Sequence, residues 1–234
     1  RLGFTPDELP AALELVRHSP FTRVATILSH FAGSEDPALD DFTREQIASF
    51  TEMAQLIGDV LGYRPVWHQA NSGGVSRWPA AHFDMVRPGI GLHGIGVDDA
   101  ETALLRPAAS LRTVIAQIKT LPAGATVGYG RGHVVRGEQR IAVLPIGYAD
   151  GLSRRLGNGV GRMWIKGKAA PFTGSICMDM CMVDVTGINC REGDEAWLFN
   201  ADHPVSELAT QLGTIPYEVL TSISQRVKRV YTHS

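Results

Sequence analysis

The stretch YRPVWHQANSGG, residues 63–74, decides how the first part of the chain folds. A short apolar run passes into a polar, glycine-rich turn, the pattern of a strand delivering its C-terminal end to a loop. Just upstream, ALDDFTREQIASFTEMAQLIGDVLG (38–62) has apolar residues at helical spacing and stops at Gly62, which predicts a long amphipathic helix. Before that, FTRVATILSHFA (21–32) reads as a buried strand ending at His30. TPDELPAALELV (5–16) reads as a helix with a Thr cap and a proline in its first turn. Downstream, RWPAAHF (77–83) fits a short helical turn, and DMVRPGIGLHGIG (84–96) reads as another buried strand opening into a loop. Such alternation of strand and helix predicts a parallel α/β arrangement.

The pattern changes after about Ala108. Short strand-like runs separated by Gly and Pro then dominate: SLRTVIAQIKTL (110–121), QRIAVLPIGYADG (139–151), GRMWIKGKAAPFTG (161–174) and CMVDVT (181–186). Only SELATQLG (206–213) and YEVLTSISQRV (217–227) look helical. DDAETALLRPAA (98–109) breaks the periodicity between the halves. The expected domains are therefore residues 1–106, α/β, and residues 107–234, all-β.

Composition narrows the class. The 234 residues are 44% hydrophobic and 20% charged, as in an ordinary globular protein of one large or two modest domains. A net charge of −2 invites neither nucleic acid nor an anionic membrane, and no apolar run has the length of a membrane span. Cys177, Cys181 and Cys190 are too few and too irregular for a disulfide framework or a zinc site, which fits a reducing compartment, most simply the cytoplasm. No His, Cys or Asp spacing suggests a metal. The chain opens at Arg1 without a methionine, and RLGF reads as the middle of a domain, so a fragment is expected.

Each strand end of the first half carries polar residues: His30, then Asn71 and Ser72, then Arg87. The amides and hydroxyl of NSGG (71–74) can cradle a phosphate; the alternative is a plain turn between strand and helix. RPGIG (87–91) is a second glycine-containing strand end, and barrel phosphate sites are commonly shared between successive loops. Arg87 lies between DMV and PGIG, which disfavours a solvated ion-pair role. In VGYGRGH (127–133), Tyr129 is either a surface aromatic beside a turn or a group presented to a substrate. Asp150, Asp179 and Asp184 read as turn residues, and Met178, Met180 and Met182, alternating at period two, read as core packing. His18, His82 and His203 receive no role. The residues alone thus lead to a phosphate-bearing small molecule at a half-barrel, followed by a β-domain, without naming a reaction.

The motifs SHFA, NSGG, DMVRPGIGLHGIG, VGYGR, LPIGYADG, ICMDM with MVDVT, and IPYEVLTSISQRV, in this order and spacing, resemble alanine racemase from end to end. The resemblance implies the second half of a TIM-type (β/α)8 barrel followed by a C-terminal β-domain, with pyridoxal 5'-phosphate as cofactor. It implies interconversion of L-alanine and D-alanine by two bases on opposite faces of the substrate carbon, supplying D-alanine for peptidoglycan. Tyr129 matches one base, with His30 hydrogen-bonded to the phenol and Arg87 extending that network and facing the pyridine nitrogen. Ser72, the amides around Gly89 and Ile90, and Tyr217 match the phosphate site, with Asn71 beside them. Arg1 matches the arginine that touches the cofactor's phenolic oxygen and reaches the substrate. Met178 would offer its backbone N–H to the substrate carboxylate, and Tyr148 and Asp179 would line the passage inward.

Tyr148 and Tyr217 suggest a narrow pocket for a methyl side chain; a serine or broad-spectrum racemase is the nearest alternative. His93 departs from the tyrosine usual in the family. The Schiff-base lysine is not found at Lys119, Lys166, Lys168 or Lys228, and the resemblance places it upstream of Arg1. The fragment alone is therefore expected to be inactive. Several motifs also resemble racemase domains fused behind a cell-wall amino-acid ligase. The resemblance further implies a homodimer whose β-domain delivers Tyr129 to the partner's barrel. A non-catalytic barrel that binds the cofactor would lack residues 108–234, and a racemase-derived regulatory module would not need Tyr129, His30 and Arg87 together.

Overall fold

The computed structural model describes residues 2–232. The chain divides into two compact units, Arg1–Arg106 and Pro107–Ser234.

The first unit is α/β. Helix α1 (Leu9–Arg17) leads to strand β1 (Thr26–Leu28), helix α2 (Asp40–Leu61), strand β2 (Val66–His68), the short helix α3 (Ser72–Arg77) and α4 (Asp99–Leu104). Strands β1 and β2 pair in parallel, Thr26 against Val66 and Leu28 against His68, with α2 as the crossover. The long helix ends where the sequence predicts: Gly62 takes φ 74° and its N–H bonds the Gly58 carbonyl at 2.9 Å. Its inner face sends Ile57 into a cluster with Leu9 and Leu13 of α1. Two turns earlier, Phe50 packs edge-on to Trp67 and against Phe83. These contacts seat α2 across the start of β2.

Three expectations change. β1 is three residues long and its Leu28 is exposed, rather than a buried strand over 21–32. DMVRP is not a strand but an extended segment. It makes two ladder-like bonds to the residues around β2, Asp84 N–H to the Trp67 carbonyl and Arg87 N–H to the Ala70 carbonyl, and Pro88 has no N–H to continue. The first helix starts at Leu9, not at Thr5. The Thr5 hydroxyl and N–H both bond the Glu8 carboxylate, so the threonine closes a preceding turn instead of capping an amide.

The second unit is built on antiparallel sheets. Strands β3 (Leu111–Val114), β4 (Gln117–Leu121), β5 (Thr126–Val127), β6 (His133–Val134), β7 (Gln139–Leu144), β8 (Arg162–Ile165), β9 (Lys168–Pro171), β10 (Cys181–Asp184) and β11 (Glu195–Phe199) precede helices α5 (Val205–Leu212) and α6 (Pro216–Ser222). They form a four-stranded sheet β3-β11-β8-β9, a three-stranded sheet β10-β7-β4 and the small pair β5-β6. Leu144, Met163, Ile165, Phe172 and Val183 are fully or almost fully buried. β8 returns into β9 through Lys166 and Gly167, both at positive φ, the two-residue reversal that matches strand twist. Among the described residues, no helix is long and apolar enough to cross a membrane.

Candidate active site

In the first unit the ends of β1 and β2 converge on Arg87, which the extended segment after β2 carries. Its guanidinium donates to the carbonyls of Ser29 (2.6 Å), His68 (3.0 Å) and Gln69 (3.3 Å). It also faces two imidazole nitrogens, His68 Nδ1 at 2.5 Å and His30 Nδ1 at 3.2 Å. Guanidinium has no acceptor, so each Nδ1 must be the lone-pair side. Both rings are thereby set neutral with the proton on Nε2. Burial, and then the charge of Arg87, holds His68 below the ordinary histidine range. Sequence reasoning passed over His68. Its signal was its place three residues before Asn71, at the end of the same strand.

Ser72 is the first residue of α3 and is buried. Its Oγ accepts from the N–H of Gly89 (2.8 Å) and of Gly91 (3.2 Å), so the hydroxyl and a turn of backbone amides meet at one point. NSGG is therefore the first turn of a helix, not a loose glycine-rich loop. Asn71 caps it, its Oδ1 accepting from the Gly74 N–H at 2.9 Å. The glycines are there for space: a Cβ on Gly73 would lie 2.7 Å from Glu35, and one on Gly74 would lie 2.8 Å from the Phe31 ring. Asn71 also accepts from Ser34 Oγ (2.8 Å) and donates to Glu35 (3.0 Å). The side chain thus positions the helix start and the 34–35 loop. Ile90 and His93 begin and end the adjoining 3-10 turn Ile90–His93. Arg1 lies outside the described residues.

In the second unit, Tyr129 is 75% exposed on a 3-10 turn, Tyr129–Arg131. Gly128 and Gly130 on either side take φ 81° and 66°. A Cβ on Gly128 would lie 3.0 Å from the Ser175 amide. The glycines thus let the backbone turn tightly against residues 174–175 and leave the phenol uncovered. Further along the second unit, Tyr148 and Met178–Asp179 are joined across thirty residues of chain. The Tyr148 and Ala149 N–H groups donate to the carbonyls of Cys177 and Met178, each at 3.0 Å. Met178 and Met180 are exposed, which corrects their reading as core: the regular strand begins only at Cys181, and Met182 alone of the three packs on a core cluster. Asp184 ends β10, paired with Ile141, and its side chain accepts from the Thr186 N–H at 2.8 Å where the chain turns away. Tyr217 stands in the first turn of α6, partly exposed.

Comparison with known proteins matches both units. Residues 1–96 match the family model for the alanine racemase N-terminal domain, and residues 108–231 that for the C-terminal domain. The chain belongs to the alanine racemase family. It is 38% identical to the alanine racemase of Treponema pallidum and 36% identical to that of Methanococcus maripaludis, covering 99% and 100% of this chain and 64% of each relative. Among solved structures it is similar to alanine racemase from D-cycloserine-producing Streptomyces lavendulae, with TM-score 0.89, 33% identity, and coverage of 100% of this chain and 64% of that one. It is also similar to Bartonella henselae alanine racemase with covalently bound pyridoxal phosphate, with TM-score 0.83, 31% identity, and coverage of 99% and 63%. The chain thus spans a little under two thirds of the relatives it matches. The α/β unit followed by a β-rich unit is the architecture of this family, as the sequence predicts.

The residues present suit a phosphorylated cofactor. The Ser72 Oγ takes the Gly89 and Gly91 N–H groups and keeps its own proton to donate, beside a turn of backbone amides of the kind that binds phosphate oxygens, on loops consecutive with Arg87. In the alanine racemase family chain, His30, Asn71, Ser72, Arg87, Gly89 and Ile90 belong to the first unit. Tyr129, Tyr148, Met178, Asp179 and Tyr217 belong to the second.

Proposed function

We propose that the protein interconverts L-alanine and D-alanine with pyridoxal 5'-phosphate. The observation that carries this reading is Arg87, held where the ends of β1 and β2 meet, between two neutral imidazoles and close in sequence to the Ser72 hydroxyl. Ser72, the Gly89 and Ile90 amides and Tyr217 would hold the phosphate, and Arg87 would face the ring nitrogen. When bound, the cofactor spreads the electron pair left behind by the departing proton. Because guanidinium keeps its proton, Arg87 would leave the ring nitrogen unprotonated and the electron sink weak, which suits an enzyme that only inverts a centre.

Tyr129 takes or returns the proton on one face of the substrate carbon. A phenol titrates near pH 10 in water, so it needs help to act as a base. His30, with its proton on Nε2, donates to the phenolate, and the charge of Arg87 behind it works in the same direction. Met178 offers its N–H to the substrate carboxylate, and Tyr148 and Asp179 line the passage. Two tyrosines at 148 and 217 favour a methyl side chain over serine. The protein acts as a homodimer, Tyr129 of one subunit serving the site that His30 and Arg87 form in its partner. It works in the cytoplasm and supplies D-alanine for peptidoglycan.

We infer that residues 1–234 alone are inactive, since Lys119, Lys166, Lys168 and Lys228 all lie in the second unit. The test is D-alanine formation from L-alanine with added cofactor. No turnover by the full-length protein would sink the racemase reading, and turnover by residues 1–234 would sink their inactivity. In the full-length protein, Tyr129→Phe is expected to lower kcat by about 100-fold or more while cofactor absorbance is kept.

A further inference from the structure

Arg226 lies in the ISQRV segment, downstream of α6, and none of the tasks above falls to it. Its fork spans two loops. Nε donates to Asp150 Oδ1 and Nη2 to Asp179 Oδ1, each at 2.6 Å. Asp150 is a junction in its own right: its second oxygen accepts the Gly147 N–H at 2.8 Å, and its backbone carbonyl accepts the Ser224 N–H at 3.0 Å. The segment carrying Arg226 is seated closely, since a Cβ on Gly151 would lie 2.4 Å from the Ser222 carbonyl. Arg229 bonds back to the carbonyls of Ile223, Ser224 and Val227, which sets the curl of the segment. One guanidinium thus ties together the turn that bears Tyr148, the loop that bears Met178 and Asp179, and the C-terminal segment.

Exposure says what this tie can do. The Arg226 side chain is 47% exposed and that of Asp179 57%, against 13% for Asp150. Exposed ion pairs add little to fold stability, so the Asp179 limb is poorly explained as a staple. Its effect is local. Asp150 and Asp179 place two carboxylates beside the amide that, in the reading above, receives a third. Burial alone would raise the Asp150 carboxyl, but hydrogen bonds from Arg226 and the Gly147 amide hold it below the usual carboxylate range, so it stays charged. Without a cation there, the incoming carboxylate meets like charge.

We propose that Arg226 is a positioning residue for the substrate carboxylate: it registers the Tyr148 and Met178–Asp179 loops on one another and offsets the two aspartates beside the Met178 N–H. The proposal rests on the racemase reading. A planar fork reaches two carboxylates at once, which a lysine ammonium at one point does not reproduce. The loss falls on binding that is common to ground and transition states, so it shows in KM.

The experiment compares wild type, Arg226→Gln, Arg226→Lys and the double variant Arg226→Gln/Asp179→Asn in the full-length enzyme, with both alanine enantiomers. Arg226→Gln is expected to raise KM about tenfold for each enantiomer, with kcat changed far less. Arg226→Lys should recover part of the loss. The double variant should bring KM back toward wild type, because one of the uncompensated charges is gone; a purely structural tie would not be rescued by cutting its other end. Unchanged KM in Arg226→Gln, or a fall in kcat alone with no rescue, would overturn the proposal while leaving the racemase reading intact. Absence of wild-type racemisation would overturn both.

Discussion

Ser72 Oγ collects two amide donors from a turn seventeen and more residues further along the chain, and this makes one buried hydroxyl responsible for the shape of a loop. Ser72→Ala leaves the Gly89 and Gly91 amides without that acceptor, a cost of about 1–3 kcal/mol. Cofactor affinity is expected to fall by about tenfold or more, read by absorbance titration of the full-length protein; unchanged affinity would remove Ser72 from the phosphate site. Arg87 works by the same economy at residue scale. It satisfies three strand-end carbonyls and fixes the tautomers of two histidines, so lysine cannot replace it. The importance of Arg87 was legible in the sequence because a cation stood between apolar residues and a glycine turn. His68 was not legible, because a histidine at the end of a strand looks the same whether or not an arginine is folded against it.

At the scale of elements, the second unit depends on how closely its loops approach. Gly147 has an ordinary extended backbone, so its side chain is excluded by space alone: a Cβ would lie 2.2 Å from the Met178 carbonyl and 2.4 Å from that of Cys177. Gly147→Ala is expected to destabilise the protein by about 1–3 kcal/mol through forced backbone displacement. Gly137, with nothing within 4 Å of its Cβ position, is the control, and Gly137→Ala should leave the urea midpoint nearly unchanged. Equal midpoints for the two variants would show that the loop gives way freely. The same crowding explains NSGG. Its glycines looked like loop residues, yet they are helical residues pressed against Glu35 and Phe31.

At the scale of the whole molecule, the candidate residues divide between two units, and the proposed homodimer makes a sharp prediction. Tyr129→Phe and Arg87→Ala chains should each be nearly inactive. If one subunit's Tyr129 serves its partner's Arg87, a mixed dimer carries both lesions in one site and neither in the other. Random mixing should then restore roughly a quarter of wild-type activity, since half the dimers are mixed and each has one working site. No recovery, with subunit exchange verified by mass, would place Tyr129 and Arg87 of one chain in one site.

The sequence by itself determined the two-part organisation, the long helix 40–61 with its glycine stop, the β-rich second half, and the candidate residues Tyr129, Arg87 and Ser72. Each leaves a local mark: a periodicity, a punctuating glycine, or a polar group among apolar ones. Only the tertiary structure decided that DMVRP stays off the sheet, that Asn71 serves as a cap, that Met178 lies on a loop, and that Arg226 joins Asp150 to Asp179. Those outcomes depend on pairs of residues far apart in the chain, and the distance between two such groups has no local signature until the backbone brings them together.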